Sequence, residues 1–266
     1  MRRLEGDSGK STQRAKKARP TDAMRKRLIF ALDVPTQREA LQLVDLLKDD
    51  VGLFKVGKQL FVTCGPEIVK EIRRRRADVF LDLKFHDIPR TVAKAAAEAT
   101  KLGVAMLDVH ATGSVEMMRQ TVREVAKVAR LNQLKKPKLL AITVLTSLNR
   151  EDLSQVGIRS SVENQVARLA KLARLCGMDG VVASPLEVGR IRKECGPRFL
   201  IVTPGVRPAN SDVEDQKRVM TPEQAIRAGS KYLVIGSPIR NAADPVQAAR
   251  DIVAEMQRGT RLPART

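Results

Sequence analysis

The chain has few aromatic residues and no long apolar run. It contains no tryptophan, one tyrosine and six phenylalanines among 266 residues. A hydrophobic core must therefore consist mainly of valine, leucine, isoleucine and alanine. No run approaches 18 consecutive apolar residues and no apolar segment opens the chain, which argues against a membrane-spanning helix and a secretory signal.

Cysteine and histidine are also scarce. The three cysteines Cys64, Cys176 and Cys195 are an odd number and lack the spacing of a metal or redox motif. A reducing, cytoplasmic environment is therefore expected. Neither His86 nor His110 has a second histidine, cysteine or carboxylate at ligand spacing, so we predict no metal site.

Acidic residues are fewer than basic residues, with 30 aspartates and glutamates against 49 lysines and arginines, so the net charge is +19. Residues 1–27 hold ten lysines and arginines against three acidic residues, and Met24 in this segment is an alternative start. We expect residues 1–27 to be a basic, disordered extension, residues 28–260 to be a single catalytic domain and residues 261–266 to be a short tail.

The remaining basic residues are spread over helical patterns such as VREVAKVARLNQLKKPK and have no aromatic residues among them for base stacking. Spread charge is typical of a solvated surface, so no specific nucleic-acid partner is expected. A polyanion-binding protein, with the charge as its function, stays open as an alternative and predicts salt-sensitive binding.

The N-terminal stretch GDSGKST resembles a phosphate-binding loop at first sight. The motif needs a glycine five residues before Gly9, but that residue is Leu4. No strand precedes the stretch either. It is therefore interpreted as part of the polar extension.

Eight short apolar runs alternate with amphipathic helical stretches after residue 27. The runs are residues 28–34, 52–58, 78–85, 105–111, 138–146, 180–185, 199–205 and 232–238. Each run is apolar enough to be covered by helices on its outer face, which favours a closed parallel (β/α)8 TIM barrel. An open doubly wound sheet is the competing fold, but its G-x-G-x-x-G fingerprint is absent after the first run.

Start and stop signals support the helices between the runs. Thr36 is an N-cap candidate for the first long helix, and Cys176–Gly177 ends another helical pattern. The last helix has Asp244 at the N-cap, Pro245 at its first position and Gly259 at its end.

The stretch FLDLKFHDIPRTV, residues 80–92, places charges within an apparently buried strand. Alternation with period two puts Asp82, Lys84 and His86 on one face and the apolar residues on the other. Active sites of barrels lie at the carboxyl ends of the strands, where Lys55 of the preceding run can join this face. Buried charges need partners, so Asp82 is expected to pair with Lys84 and Lys55.

The same stretch carries a resemblance to a known family. DLKFHDIPRTV resembles the D-x-K-x-x-D-I-P-x-T signature of orotidine 5′-phosphate decarboxylases, and the similarity runs from about residue 28 to 258. Other strand-end segments follow that family in order: ALDV, FKVGKQLF, HATG, ITVLTSL, DGVVAS, TPGVRP, DQKRVMTPEQAI and YLVIGSP.

The resemblance implies a cofactor-free and metal-free homodimeric (β/α)8 enzyme that converts orotidine 5′-phosphate to uridine 5′-phosphate and carbon dioxide, the last step of pyrimidine synthesis. It implies that Lys84 donates a proton to C6 of the base and that Lys55, Asp82 and Asp87 complete a charged tetrad. In this family the second aspartate reaches the neighbouring subunit's site. Asp87 and Thr91 are therefore expected to act across a dimer interface.

The resemblance also implies substrate contacts. Asp33, Lys55 and Asp82 are expected near the ribose and the reacting carbon, and Thr146 beside the pyrimidine. The long polar segment 203–222 is expected to close over the phosphate. The residues assigned to the phosphate are Arg207, Gln216, which would bridge phosphate and base, Gly236 and Ser237.

One position departs from the family pattern. The family usually has an arginine directly after the glycine of the last strand, but this chain has Ser237 there. The amides of Gly236 and Ser237 can still face a phosphate. We hypothesise that Arg240 supplies the missing charge, with Arg207 as the other candidate.

Two further enzymatic alternatives stay open from the sequence. A magnesium-dependent sugar-phosphate decarboxylase or hexulose-phosphate synthase shares the D-x-K-x-x-D pattern but needs an additional acidic metal ligand. A Schiff-base aldolase would use Lys84 as a nucleophile. The flanking carboxylates Asp82 and Asp87 favour a protonated Lys84 instead.

Overall fold

The computed structural model of the protein describes residues 22–208 and 220–260. Within these ranges eight parallel strands form a closed barrel in chain order, each paired with its sequence neighbours and the last with the first. The strands are β1 (Leu28–Ala31), β2 (Leu53–Gly57), β3 (Val79–Phe85), β4 (Met106–His110), β5 (Lys138–Ile142), β6 (Gly180–Val182), β7 (Leu200–Thr203) and β8 (Tyr232–Ile235). The predicted (β/α)8 barrel is confirmed, and each strand lies within its predicted run.

Helices connect the strands and surround them. In chain order they are α1 (Asp22–Arg25), α2 (Gln37–Leu47), α3 (Lys58–Cys64), α4 (Glu67–Arg74), α5 (Pro89–Lys101), α6 (Val115–Leu131), α7 (Arg150–Gln155), α8 (Val162–Leu175), α9 (Val188–Cys195), α10 (Pro222–Ala228), α11 (Ser237–Arg240) and α12 (Pro245–Arg258). None of the described helices is long and apolar enough to cross a membrane.

The predicted helix caps are present. The Thr36 side chain accepts a hydrogen bond from the Glu39 amide at 3.2 Å, and Asp244 accepts one from the Gln247 amide at 3.0 Å. Each bond satisfies a backbone donor that has no partner inside its helix. Gly177 follows α8 with a φ of +83°, a left-handed conformation that ends the helix at little steric cost.

Two apolar layers hold the fold together. The larger lies between the strands and the helices, and the smaller fills the barrel axis. The buried inner layer consists of Ile29, Ala31, Leu53, Phe80, Met106, Leu140, Val202 and Val234. Because strand side chains alternate in direction, the residues two positions further along these strands also face the axis, at the carboxyl ends.

The last six residues of the predicted N-terminal extension are packed on the barrel, which differs from the expectation that the domain begins at residue 28. Met24 is buried, and the Arg25 guanidinium donates to the Val51 carbonyl at 2.8 Å. Arg27 donates to the carbonyls of Ser230 and Lys231, both at 2.8 Å. The expected disorder of residues 1–21 concerns a segment outside the described residues.

Gly52 lies just before β2 and allows residues 22–27 to pack closely against the barrel. Substitution of Gly52 tests this packing. A Cβ at residue 52 would lie 2.6 Å from the carbonyl carbon and the Cα of Lys26, closer than any real contact. We expect Gly52→Ala to lower the free energy of unfolding by about 1–3 kcal/mol, because backbone must shift to accept the methyl group.

The measurement is denaturant unfolding followed by circular dichroism. Gly189→Ala in α9 is the matched control, because no atom of the described residues outside its own helix turn lies within 4 Å of the place that the new methyl group would take. Equal stability of the two variants would contradict close packing of residues 22–27 on the barrel.

Candidate active site

Four charged side chains alternate in sign at the carboxyl end of the barrel. The Lys55 ammonium lies 3.0 Å from Asp33 Oδ1 and 3.4 Å from Asp82 Oδ2, and the Lys84 ammonium forms an ion pair with Asp82 Oδ1. Asp33, Lys55 and Asp82 each follow an inner-layer residue by two positions, so strand alternation directs them into the barrel mouth. The predicted pairing of Asp82 with both lysines is confirmed.

Two members of this charged row are nearly buried, and burial disfavours their charged forms. The side chains of Lys55 and Asp82 are 12% and 11% exposed, whereas Asp33 at the open end is 56% exposed. Desolvation opposes the charge on Lys55, but the attraction of Asp82 and Asp33 outweighs it and raises the pKa of Lys55. The two neighbouring carboxylates therefore keep the Lys55 side chain positively charged in spite of its burial.

Neighbouring groups stabilise the ionised form of Asp82. Its burial disfavours the carboxylate, yet a hydrogen bond with Asp108 and the positive charges of Lys55 and Lys84 lower the pKa of Asp82 below its ordinary value. A carboxylate so held keeps two ammonium groups in place.

The backbone at Lys84 is irregular. Its φ is +51°, and the pairing register between β3 and β4 shifts between Leu81 and Phe85. A left-handed conformation at a residue with a side chain costs about 1–2 kcal/mol. Regular alternation therefore predicted the partner of Lys84 correctly but not the backbone conformation that brings the two together.

The same irregularity redirects His86. It leaves the strand and is exposed, and its ring stacks on His110 at a centroid distance of 5.3 Å. Burial, followed by the positive charges of His86, Lys58 and Lys84, lowers the pKa of His110 to about 4. His110 is therefore a neutral imidazole near pH 7.

A cavity of about 360 Å³ opens beside the charged row. One wall carries the four charged residues, and the opposite wall is apolar, formed by Ile142, Val144 and Val182 among others. The predicted substrate-contact residues that also line it are Thr146, Arg207, Gly236 and Ser237. A concave, mostly apolar site with a few convergent polar groups is typical of a small-molecule site.

Of the three remaining predicted residues, the structure describes Asp87 and Thr91 only. Asp87 and Thr91 are exposed and do not line this cavity; Asp87 Oδ1 accepts a hydrogen bond from the Ile88 amide at 2.6 Å. Gln216 lies outside the described residues, as does most of the predicted phosphate-covering segment. The roles of all three stay predictions.

The Arg240 side chain contacts the segment after β1, and its proposed phosphate contact stays a prediction. Its guanidinium donates to the Asp33 carbonyl oxygen at 2.5 Å and to the Asn241 side chain at 3.2 Å. It is not among the residues that line the cavity, whereas Arg207 is. Arg207 is thus the better placed of the two candidates to meet an anion.

Sequence reasoning left Asp108 without a role and did not identify the apolar wall. Asp108 is a charged residue within a buried strand, but its hydrogen bond from the Lys84 amide depends on the neighbouring strand. The apolar wall follows from strand-end positions on β5 and β6. Within residues 22–208 and 220–260, no three histidine, cysteine or acidic side chains form a group that could hold a metal ion.

Comparison with known proteins identifies the family. The family model described as "Orotidine 5′-phosphate decarboxylase / HUMPS family" matches residues 26–252. The chain is 54% identical over 238 residues to the orotidine 5′-phosphate decarboxylase of Pelobacter propionicus, covering 90% of this chain and 98% of the relative. The Geobacter sulfurreducens relative of the same name is also 54% identical, with 90% and 99% covered.

A solved structure agrees with the sequence comparisons. The crystal structure of orotidine 5′-phosphate decarboxylase from Lactobacillus acidophilus superimposes with a TM-score of 0.77 at 35% identity and covers 90% of this chain and 99% of that one. The barrel, the charged row and these similarities lead to one conclusion: the chain belongs to the orotidine 5′-phosphate decarboxylase / HUMPS family.

Proposed function

We propose that the protein is a carboxy-lyase that converts orotidine 5′-phosphate to uridine 5′-phosphate and carbon dioxide in pyrimidine synthesis. The observation that carries the proposal is the ion-paired row Asp33–Lys55–Asp82–Lys84, with Lys55 and Asp82 nearly buried, beside a cavity with an apolar wall. The relatives at 50–54% identity that carry this enzyme's name support it.

The chemistry requires a fixed positive charge. Loss of carbon dioxide from the pyrimidine leaves a carbanion at C6, with no adjacent ketone or imine to accept the electrons. A preorganised ammonium in a water-poor site stabilises such charge far better than water does. Lys84, ion-paired with Asp82, supplies the ammonium and then transfers its proton to C6.

The other groups of the cavity bind the nucleotide. Asp33 and Lys55, at the open end of the row, hold the ribose hydroxyls, and Thr146 lies beside the pyrimidine. Arg207 meets the phosphate together with the backbone amides of Gly236 and Ser237. Gly236 lacks a side chain where a Cβ would lie 3.2 Å from the Ala31 methyl group, so its backbone can lie close to β1. Gln216 completes the phosphate contacts when substrate is bound.

We further propose a homodimer, in which Asp87 and Thr91 complete the partner subunit's site. Support comes from their exposed position at the start of α5, next to Ile88, a large apolar side chain that is 66% exposed. The cytoplasm is the proposed location, supported by three free cysteines. No cofactor or metal has a role in the proposed reaction.

Removal of the Lys84 ammonium is the first test. We expect Lys84→Ala to lower kcat for orotidine 5′-phosphate by at least ~10³-fold, because both the electrostatic stabilisation and the proton donor are lost. The assay follows the decrease in substrate absorbance in EDTA. Lys101→Ala, which removes a surface lysine paired with Glu98, is the control. Wild-type activity that requires a divalent cation would instead favour a magnesium-dependent relative.

Hybrid dimers test the action of Asp87 across the interface. Lys84→Ala and Asp87→Ala chains carrying different tags are co-expressed, and the hybrid is isolated through both tags. One of its two sites then combines an intact Lys84 with an intact Asp87 from the other subunit. We expect about half of wild-type activity, since closed two-fold symmetry gives two sites per dimer. A hybrid as inactive as its parents would place Asp87 within its own subunit's site.

Inhibitor binding tests the phosphate contact. We expect Arg207→Ala to weaken inhibition by uridine 5′-phosphate by about 10- to 100-fold, the range for losing a hydrogen bond to a charged group. Inhibition by uridine, which lacks the phosphate, should change little. Arg240→Ala is the comparison, and a larger loss for that variant would return the phosphate contact to Arg240.

A further inference from the structure

Asp108 is a fully buried carboxyl group that the proposed reaction does not use. It lies in β4, two positions after the inner-layer residue Met106, and therefore points into the barrel beneath the charged row. Its exposed fraction is 0%, and it does not line the central cavity. It is thus close to the site without access to substrate.

One oxygen of Asp108 supports the irregular backbone of β3. Asp108 Oδ1 accepts a hydrogen bond from the Lys84 amide at 2.8 Å. That amide lies where the β3–β4 register shifts, so the side chain takes the place of a carbonyl acceptor from the neighbouring strand. The left-handed conformation of Lys84, with φ +51°, is thereby held by a contact from outside its own strand.

The other oxygen of Asp108 is Oδ2, and the Asp82 carboxylate is close enough to interact with the Asp108 carboxyl group. Asp108 Oδ2 is buried and accepts no hydrogen bond from any donor in the described part of the chain. Burial first, and then the charge of Asp82, raise the pKa of Asp108 well above its ordinary value. If Oδ2 carries a proton, its O–H can donate a hydrogen bond to the Asp82 carboxylate, and Oδ2 then no longer lacks a hydrogen-bond partner.

We propose that Asp108 is a positioning residue that, as a neutral carboxylic acid, orients Lys84 by accepting its amide hydrogen and orients Asp82 by donating to its carboxylate. The inference rests on the proposed function of Lys84 as proton donor. Asp108 sets the direction of the ammonium through the backbone and the direction of its counter-ion through the side chain. Its neutrality leaves the row of two lysines and two aspartates without excess negative charge.

Two substitutions of similar shape separate these roles. Asn at residue 108 keeps an acceptor for the Lys84 amide and a donor for Asp82, whereas Leu keeps the volume and loses both hydrogen bonds. We expect Asp108→Asn to retain kcat within about 3-fold and Asp108→Leu to lower kcat by about 10²-fold, the cost of an ångström-scale misplacement of a reacting group. KM should change much less than kcat in both variants, since Asp108 does not touch the cavity.

The control is Asp179→Asn. Asp179 also accepts an amide hydrogen from a neighbouring strand, that of Leu139 at 3.0 Å, but at the opposite end of the barrel. Its substitution should leave kcat unchanged. Wild-type kcat in Asp108→Leu would overturn the proposal, and so would an Asp108→Asn variant as inactive as Asp108→Leu, because that result requires an ionised carboxylate.

Protonation is measured independently of activity. The infrared difference spectrum of wild type minus Asp108→Asn at pH 7 should contain the carbonyl stretching band of a carboxylic acid, which the corresponding Asp179 difference should lack. Without that band Asp108 is ionised and the proposal fails. This readout also decides the matter if Asp108→Leu does not fold.

The pH dependence of the free energy of unfolding gives a further test of whether Asp108 is protonated. A carboxyl whose pKa is raised by folding binds a proton that the unfolded chain releases, so stability falls as pH rises from the ordinary aspartate value towards the raised one. We expect this loss to be smaller in Asp108→Asn, and an unchanged slope would contradict the proposal. If wild type lacks decarboxylase activity or Lys84→Ala retains it, the proposed function fails instead, while the infrared band still reports on Asp108.

Discussion

The ion pairs that join Asp33, Lys55, Asp82 and Lys84 impose the strictest requirement on this structure. An unpaired charge at the depth of Lys55 or Asp82 would be costly, and either of these residues without its neighbours would become such a charge. The alternation of sign along the row solves the problem, because each inner member is flanked by opposite charges on both sides. The barrel supplies the geometry that this solution needs.

The scaffold achieves that geometry through strand alternation. Inner-layer residues such as Ala31, Leu53 and Phe80 fill the barrel axis, and the charged residues two positions later stand on this apolar layer. A closed sheet has no free edge, so β1, β2 and β3, which carry Lys55 and Asp82 and lead directly to Asp33, cannot slide past one another without breaking hydrogen bonds on both sides. Rigid strands therefore hold charges that loops could not hold as accurately.

Lys84 combines several irregular backbone features at the place where the chemistry is proposed. Lys84 has a left-handed backbone, a shifted register and a carboxyl group from β4 in place of a regular ladder partner. Such features persist only when the surroundings over-determine them, and here the ion pair and the amide hydrogen bond act on the same residue. Arg207 and Gly236, which line the same cavity, lie outside the strands instead.

The sequence by itself determined the architecture and the composition of the charged row. Eight apolar runs became eight strands, Thr36 and Asp244 became N-caps, and the spacing of Asp82 and Lys84 placed them together, because these features depend on local periodicity and local hydrogen bonds. Only the tertiary structure decided the conformation of Lys84, the stacking of His86 on His110 and the hydrogen bond from the Lys84 amide to Asp108. These depend on register and contacts between β3 and β4, which are separated in the chain by a helix, and no local pattern encodes them.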